Sequence, residues 1–350
     1  MRHRSNPTTD PSFARPRTRH LFPSLVAVGS ASFLLISLLS HASQSTAQPK
    51  EPTESQTELL ASNAIVEHLD IPYDQIRGVA PNLLSLDIYA PAASTDCPVV
   101  VMIHGGGWHE GDKANRAVVE AKSRHFVGAG CVFVSANYRL SPAVRHPEHV
   151  KDIAKALAWI HDHIADHGGD PNRMYVMGHS AGAHLAALVA TDDHYLAALG
   201  KDLRILKGVI LLDSAAYDIP RFINELGGAR AMRETYENAF GTDEEIWRDA
   251  SPQAHVKPGK HIPPFLIFHT GARLAGATLS KDLAESLRKA GTPAWAIHAR
   301  DKDHRAISLD IGRPDDWVTN LIMKFLHDDL PVNPAEILPP PTSSPLPNPN

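Results

Sequence analysis

Residues 173–190, RMYVMGHSAGAHLAALVA, constrain the fold more than any other stretch of this 350-residue chain. The apolar run at 173–177 is typical of a buried strand, and the small residues from Ala181 to Ala190 are typical of a helix. At their junction the chain reads G-x-S-x-G, a turn so tight that it needs a glycine on each side of the serine. Such a turn exposes its serine at a helix N-terminus, which favours nearby negative charge. The stretch therefore predicts that Ser180 is a nucleophile.

Strand-like and helix-like segments alternate along the chain. We predict strands at residues 98–104, 131–138, 173–177, 208–213, 264–269 and 294–299. Apolar and small residues predict helices over 150–164, 181–190, 279–290 and 318–326. The alternation predicts an α/β fold, with a mostly parallel central sheet and helices on both faces. In such a sheet the active site lies past the carboxyl ends of the strands, so the residues there are the candidates for function.

A glycine-rich motif, HGGGWHEGDK at residues 104–113, follows the first of these predicted strands. Three consecutive glycines allow backbone N–H groups to approach a ligand with no side chain in the way. A flexible turn is the simpler interpretation, but a turn rarely needs three glycines flanked by His and Trp. Trp108, beside the glycines, and His179, inside the serine turn, are expected to line the substrate pocket.

With these two motifs the chain resembles the α/β-hydrolase superfamily, in particular its hormone-sensitive-lipase-like and bacterial feruloyl-esterase-like branch of carboxylesterases. The resemblance covers about residues 73–325 and includes IHGGGW, LDIYAP, NYRLSP, HPEHVKDIAKALAWI and GGDPNRMYVMGHSAG. It implies an α/β-hydrolase fold that cleaves carboxylic esters, with Ser180 as the nucleophile. It also implies an oxyanion hole made by the backbone N–H groups of Gly105, Gly106 and Ala181. Such donors stabilise the charge that forms on an ester carbonyl under attack.

A serine hydroxyl is a weak nucleophile by itself and needs a general base. The segment AIHARDKDHRAIS, residues 296–308, offers His298 and His304. His298 falls inside a predicted strand, whereas His304 falls in the loop that follows it. The chain order Ser, acid, His, which is typical of this kind of enzyme, favours His304 as the base.

The acidic residue that should orient this histidine is missing from its expected place. The resemblance puts an aspartate just after the strand 264–269, where the chain has Ala272 and Arg273. The next acid in that segment, Asp282, belongs to the following predicted helix and is too far along to reach back easily. We interpret Arg273 as a surface side chain, with a clamp for a carboxylate or phosphate as the alternative.

Three explanations of the missing acid remain open. Asp213 ends the preceding predicted strand and could reach His304, although a cap or turn hydrogen bond would explain it equally well. Asp301 or Asp303 could contact His304 locally, or the chain could work as a Ser–His dyad. We take Asp213 as the working hypothesis. Loss of the acid function costs about four orders of magnitude in rate, so its identity separates an efficient esterase from a degraded one.

The composition changes at both ends of the chain. Residues 1–47 start with a basic, arginine-rich segment, continue with the apolar stretch LVAVGSASFLLISLL and end at small residues, which is the order of a secretory signal peptide. An uncleaved membrane anchor is the alternative, and contact with a membrane is expected only in that case. We predict export, either periplasmic or secreted. A linker at 48–60 would then precede a hydrolase domain at 61–330 and a Pro-rich disordered tail at 331–350.

A long insertion interrupts the predicted domain at about residues 214–263. An insertion of this length at the active-site face usually works as a cap or lid. Its aromatic residues could form an apolar binding wall or pack the insertion onto the body of the domain. They are Tyr217, Phe222, Tyr236, Phe240 and Trp247.

Charge and cysteine content exclude other classes of function. The formal net charge of −5 gives no support to nucleic-acid binding. The two cysteines, Cys97 and Cys131, cannot form a thiolate zinc cluster, and they are either a disulfide or separate buried thiols. His163 and His167 lack a third ligand, so they are not expected to bind a metal. No metal or organic cofactor is expected for the chain. The predicted partner is a small-molecule ester. The alternatives are a fold-retaining binding protein with weak or lost catalysis, and an amidase such as a formamidase.

Overall fold

In the part of the chain that the structure describes, eight strands form one central sheet. The computed structural model describes residues 64–92, 94–226, 229–271, 273–328 and 330. The strands are β1 Ile65–Pro72, β2 Ser85–Pro91, β3 Cys97–Ile103, β4 Val132–Ala136, β5 Gly169–His179, β6 Leu206–Leu212, β7 Phe265–Thr270 and β8 Ala294–Ala299. They lie in the order β1-β2-β4-β3-β5-β6-β7-β8. The pairs β1–β2 and β2–β4 are antiparallel, and the other pairs are parallel. The carboxyl ends of β3 to β8 therefore share one edge of the sheet.

Helices cover both faces of this sheet. They are α1 Arg116–Gly128, α2 Glu148–His163, α3 Ala181–Thr191, α4 His194–Ala197, α5 Ile219–Asn224, α6 Ala229–Phe240, α7 Glu244–Asp249, α8 Pro252–His255, α9 Leu274–Lys289, α10 Ala306–Leu309 and α11 Trp317–Leu326. Apolar side chains of α2, α3 and α9 pack in one core cluster, and those of α1 and α11 pack in another. Successive residues of a strand point to opposite faces, so Val99 and Val101 join the first cluster while Val100 and Met102 join the second.

The predicted fold class is confirmed, and the six predicted strands correspond to β3 to β8. β5 begins at Gly169, four residues before its predicted start. The four predicted helices correspond to α2, α3, α9 and α11, whereas β1, β2 and α1 were not predicted. Within the described part of the chain, no helix combines the length and the apolar character needed to cross a membrane. The predicted signal peptide or anchor, the linker at 48–60 and the Pro-rich tail lie outside the described residues and stay predictions.

The two cysteines lie at the amino ends of neighbouring parallel strands. Cys97 begins β3, and Cys131 directly precedes β4. Both are buried and both are free thiols, so the structure has the second of the two alternatives. Burial, followed by the neighbouring Cys97, raises the pKa of Cys131 to about 12. The thiolate, which is the reactive form, is therefore disfavoured at this position.

The described residues between β6 and β7, where the insertion was predicted, form the helices α5 to α8. The aromatic residues of this segment are all buried, namely Tyr217, Phe222, Tyr236, Phe240 and Trp247. The rings of Tyr236 and Phe240 meet Trp108 edge-on, with centroid distances of 5.2 and 4.8 Å. Of the two alternatives for these aromatics, the structure favours packing of the insertion onto the body of the domain.

Candidate active site

Ser180 lies in a strained turn between β5 and α3. Its backbone has a φ of 54° and a ψ of −115°, which a residue with a side chain rarely adopts. Gly182, two residues later, allows α3 to start directly above β3. A Cβ at this position would lie 2.2 Å from the carbonyl oxygen of Ile103. The glycine of the motif is therefore required by the close approach of two backbones, and the strain points to a functional role for the serine.

We expect Gly182→Ala to destabilise the domain by about 3 kcal/mol or more, because the backbone of β3 would have to move. Urea unfolding followed by tryptophan fluorescence measures this effect. Gly128→Ala at the end of α1 is the matched control, since its added Cβ would meet no atom within 4 Å. Equal unfolding midpoints for the two variants would contradict this account of the turn.

His304, in the loop between β8 and α10, lies between Ser180 and Asp213. Its Nε2 is 3.0 Å from Ser180 Oγ, and its Nδ1 is 2.6 Å from Asp213 Oδ2. An ionised carboxylate can only accept, so Nδ1 carries the proton and Nε2 presents its lone pair to the serine hydroxyl. This is the arrangement that proton transfer from the serine requires.

Asp213, directly after β6, is fully buried and remains ionised. Its Oδ1 accepts from Thr270 N–H at 2.9 Å, and its Oδ2 accepts from Thr270 Oγ1 at 3.0 Å. Burial alone would raise the pKa of Asp213. Hydrogen bonds from His304 and Thr270, together with the charge of Arg273, outweigh this and lower the pKa to about 2. Thr270 was not predicted, although a hydroxyl at the carboxyl end of an apolar strand was an available signal.

The other candidate acids are engaged elsewhere in the structure. Asp282, on α9, pairs with an arginine of α5. Asp301 accepts from the indole N–H of Trp317 at 3.0 Å. Asp303 accepts two backbone N–H groups at the start of α10, at 2.9 and 2.6 Å. Ala272, close to where the resemblance puts the acid, lies outside the described residues. Among the candidates from the sequence, Asp213 is the carboxylate that bonds to His304.

Arg273 lies against the Ser–His–Asp group, and the interpretation of it as a surface side chain was wrong. Its Nη1 is 2.7 Å from His304 Nδ1 and 3.5 Å from Asp213 Oδ2, and its side chain is 28% exposed. The reason is topological, since β7 ends at the same edge of the sheet as β5 and β6. Because Nδ1 already donates to Asp213, the guanidinium acts mainly as a positive charge that stabilises the carboxylate.

His179 supports the loop that carries His304. Its Nε2–H donates to the backbone carbonyl of His304 at 2.7 Å. Burial, followed by the charge of His304, lowers the pKa of His179 to about 3, so the ring stays neutral. His179 also forms part of the wall of a neighbouring cleft. Its hydrogen bond adds a role in positioning that the sequence did not indicate.

The glycine loop after β3 forms another wall of this cleft, which has a volume of about 400 Å³ and includes Gly105 and Gly106. The backbone of Gly105 runs beside Ser180. An added Cβ would lie 2.8 Å from His179 Nδ1 and 3.3 Å from Ser180 Cβ. A side chain at this position would therefore collide with the serine turn. The N–H groups of this loop and of Ala181 are candidates for stabilising an oxyanion beside Ser180.

Trp108 does not line this cleft, and its assignment as a pocket residue needs correction. Its side chain is 3% exposed, and its Nε1–H donates to His184 Nδ1 of α3 at 3.2 Å. The backbone φ of 61° at Trp108 accompanies a sharp change of chain direction, and the ring lies against Tyr236 and Phe240. Trp108 therefore ties the glycine loop to α3 and to the insertion.

Known proteins share this sequence pattern and this fold. Residues 86–287 match the family model described as BD-FAE. Esterase LipQ of Mycobacterium tuberculosis is 29% identical over 273 residues, which cover 73% of this chain and 61% of LipQ. The probable isoprenylcysteine alpha-carbonyl methylesterase ICMEL1 of Arabidopsis thaliana is 29% identical over 261 residues, which cover 70% of this chain and 54% of that protein. The chain thus spans less than two thirds of the length of these curated relatives.

Among solved structures, Esterase B from Lactobacillus rhamnosis (HN001) superimposes with a TM-score of 0.62 at 23% sequence identity. The match covers 78% of this chain and 91% of that one. At this level of identity the likeness concerns the fold, and it shows that the sheet and its helices form an α/β-hydrolase fold.

Proposed function

The chain belongs to the BD-FAE family, and from this premise we propose that it is a carboxylesterase acting through an acyl-enzyme on Ser180. The observation that carries the proposal is the continuous contact from Asp213 through His304 to Ser180, with distances of 2.6 and 3.0 Å. The esterase relatives support small-molecule esters as the substrate class.

In the acylation step, His304 Nε2 takes the proton of Ser180 Oγ while that oxygen attacks the ester carbonyl carbon. The carbonyl π electrons move to oxygen and give a tetrahedral oxyanion. When this intermediate collapses, the bond to the alcohol oxygen breaks, and the alcohol leaves with the proton from His304. Asp213 keeps the imidazole in the required tautomer and stabilises its charged form without taking the proton.

In the deacylation step, water replaces the alcohol. His304 takes one of its protons, the resulting oxygen nucleophile attacks the acyl carbon, and Ser180 Oγ leaves with the proton from His304. Backbone N–H groups of Gly105, Gly106 and Ala181 would stabilise both oxyanions. In other serine hydrolases, one such donor contributes about 3 kcal/mol to stabilising the transition state.

We propose further that α5 to α8 form a cap over the site. The segment leaves the sheet directly after Asp213, at the active-site edge. It packs through Tyr236 and Phe240 on Trp108, which follows the oxyanion glycines. Movement of the cap would therefore also move the glycine loop.

The purified protein should hydrolyse p-nitrophenyl acetate and butyrate, and a fluorophosphonate probe should stop turnover at one adduct per chain. Mass spectrometry should place that adduct on the peptide that contains Ser180, because phosphonylation requires the activated serine. Ser180→Ala should stay unlabelled and give the background rate. Ser123→Ala, on α1, should be labelled and active like the wild type.

Three other outcomes would overturn the proposal. A wild-type rate equal to that of Ser180→Ala, without labelling, would favour a binding protein that retains the fold. Cleavage of an aryl formamide without cleavage of either ester would favour an amidase. An adduct on a different residue would show that the nucleophile is misassigned.

A further inference from the structure

Three side chains that can bind a metal ion lie close together at a place away from Ser180, where the insertion meets the end of α3. Asp192 follows α3, Asp249 ends α7 and His255 ends α8. One ligand atom from each lies within 4.8 Å of the other two. The three residues belong to separate segments, so their approach is a consequence of the fold.

The hydrogen bonds of His255 orient a lone pair towards the carboxylate of Asp192. His255 Nε2 lies 2.7 Å from the backbone carbonyl of Asp249, which can only accept, so Nε2 carries the proton. In the neutral ring Nδ1 is then an acceptor, yet it faces Asp192 Oδ2 at 3.2 Å. The repulsion between these two acceptors is removed by a cation between them, either a metal ion or a proton on Nδ1.

A second observation at the same place is the hydroxyl of Tyr195. The side chain is 3% exposed, and its oxygen has no hydrogen-bond partner within the described part of the chain. Tyr195 lies in α4, three residues after Asp192 in the chain. Burial, followed by the charges of Asp249 and Asp192, raises the pKa of its hydroxyl. A buried hydroxyl without a partner costs about 1–3 kcal/mol, and a water molecule on a cation bound by the two carboxylates would remove this cost.

The ligand set also has the supporting contacts that metal sites use. His194 Nδ1 lies 2.7 Å from Asp192 Oδ1, and His146 Nε2 lies 2.8 Å from Asp249 Oδ2. Hydrogen bonds of this kind orient the ligands of bound metals. Among the described residues, the ion pairs of Asp192 and Asp249 involve histidines and no lysine or arginine.

We propose that Asp192, Asp249 and His255 bind a divalent cation of the zinc class. One imidazole nitrogen and two carboxylate oxygens suit Zn²⁺, which takes such ligands at about 2.0–2.2 Å, whereas Mg²⁺ and Ca²⁺ prefer oxygen alone. A water molecule in the fourth position would give Tyr195 its hydrogen-bond partner. The cation would fasten α7 and α8 of the insertion to the end of α3, the helix that begins at Ser180. Its role is structural and independent of the proposed catalytic chemistry.

Zinc titration of untagged, chelator-treated protein tests the proposal, with melting temperature and bound metal per chain as readouts. A hundredfold excess of Zn²⁺ over its Kd should raise the Tm by about 5 °C or more, with one metal per chain. His255→Gln and Asp192→Asn should each abolish both effects. The control His161→Gln/Asp162→Asn removes another His–Asp contact, on α2, and should respond like the wild type.

Ser180→Ala should show the same shift and the same stoichiometry, which separates this test from that of the esterase function. No shift and no bound zinc in the wild type would show that these three residues hold no zinc, and the proposal would be wrong. A shift that persists in His255→Gln would assign the zinc to another place. A shift with Ca²⁺ or Mg²⁺ but not Zn²⁺ would exclude the nitrogen ligand.

Discussion

Replacing Asp213 by asparagine should lower kcat for p-nitrophenyl butyrate by about 10³- to 10⁴-fold, with little change in KM. The asparagine amide can donate to His304 Nδ1, which moves the ring proton to Nε2. Nε2 then lacks the lone pair that must take the proton of Ser180. Asparagine has the size of aspartate, and its amide oxygen can still accept from Thr270, so the fold should survive.

The same rate measurement on the other acids supplies the control. Asp303→Asn removes a carboxylate that was a candidate from the sequence, and Asp282→Asn removes one that the sequence placed too far from His304. Both carboxylates bond elsewhere in the structure. Each should stay within about twofold of the wild-type kcat, because neither touches the reacting groups. If Asp213→Asn kept more than a tenth of the activity, the enzyme would work as a Ser–His dyad or use another acid.

The places of Ser180 and His304 in the fold could be predicted because each depends on local chain geometry. The turn around Ser180 needs its glycines wherever it occurs, and His304 was selected by its place after the last strand. The acid could not be chosen in the same way. Asp213 reaches His304 through its φ of 51° and is held by Thr270, a residue of a different strand. No pattern in the sequence reports such a pairing between strands.

The missed elements have equally physical causes. β1 shows no regular alternation of buried and exposed residues, so its sequence carries no strand period. The buried face of α1 could not be recognised from the sequence because it includes Lys122. This lysine is fully buried, and its Nζ donates to the carbonyl oxygens of Val118 at 2.8 Å and Ser308 at 2.5 Å. A buried lysine looks like a solvent-exposed position in any hydrophobicity pattern.

Buried neutral histidines should make the protein unfold in mild acid. His184 accepts from the indole of Trp108 at Nδ1 and donates to the carbonyl of Ala250 through Nε2, so neither nitrogen can take another proton without losing a bond. His149 donates through Nε2 to Ser141 Oγ. Burial is the main cause that lowers the pKa of both histidines to about 3. The insertion and the glycine loop meet at His184, so its protonation would separate elements that flank the active site.

The direction of the pH effect follows from proton uptake in the two states. Above about pH 6.5 both histidines are neutral whether the chain is folded or unfolded. As the pH is lowered from about 6.5 to 3, these histidines bind protons in the unfolded chain but not in the folded chain. The free energy of unfolding therefore decreases as the pH falls. Each histidine contributes up to about 1.4 kcal/mol per pH unit, so together they should cost about 4 kcal/mol between pH 6 and 4.5. That is a large part of the stability of a typical domain, which is about 5–15 kcal/mol.

Urea unfolding at a series of pH values, followed by tryptophan fluorescence, measures this slope directly. His184→Gln should reduce the slope by about one proton, whereas His327→Gln, at an exposed position, should leave it unchanged. Asp213 does not contribute to the slope between pH 6 and 4.5. Its carboxylate takes up protons below about pH 3.9 in the unfolded chain and only near pH 2 in the folded chain. A free energy of unfolding that stays constant from pH 6.5 to 5 would mean that these histidines accept protons in the folded state. The contacts among His184, Trp108 and Ala250 would then have to be rearranged, and with them the link between the insertion and the glycine loop.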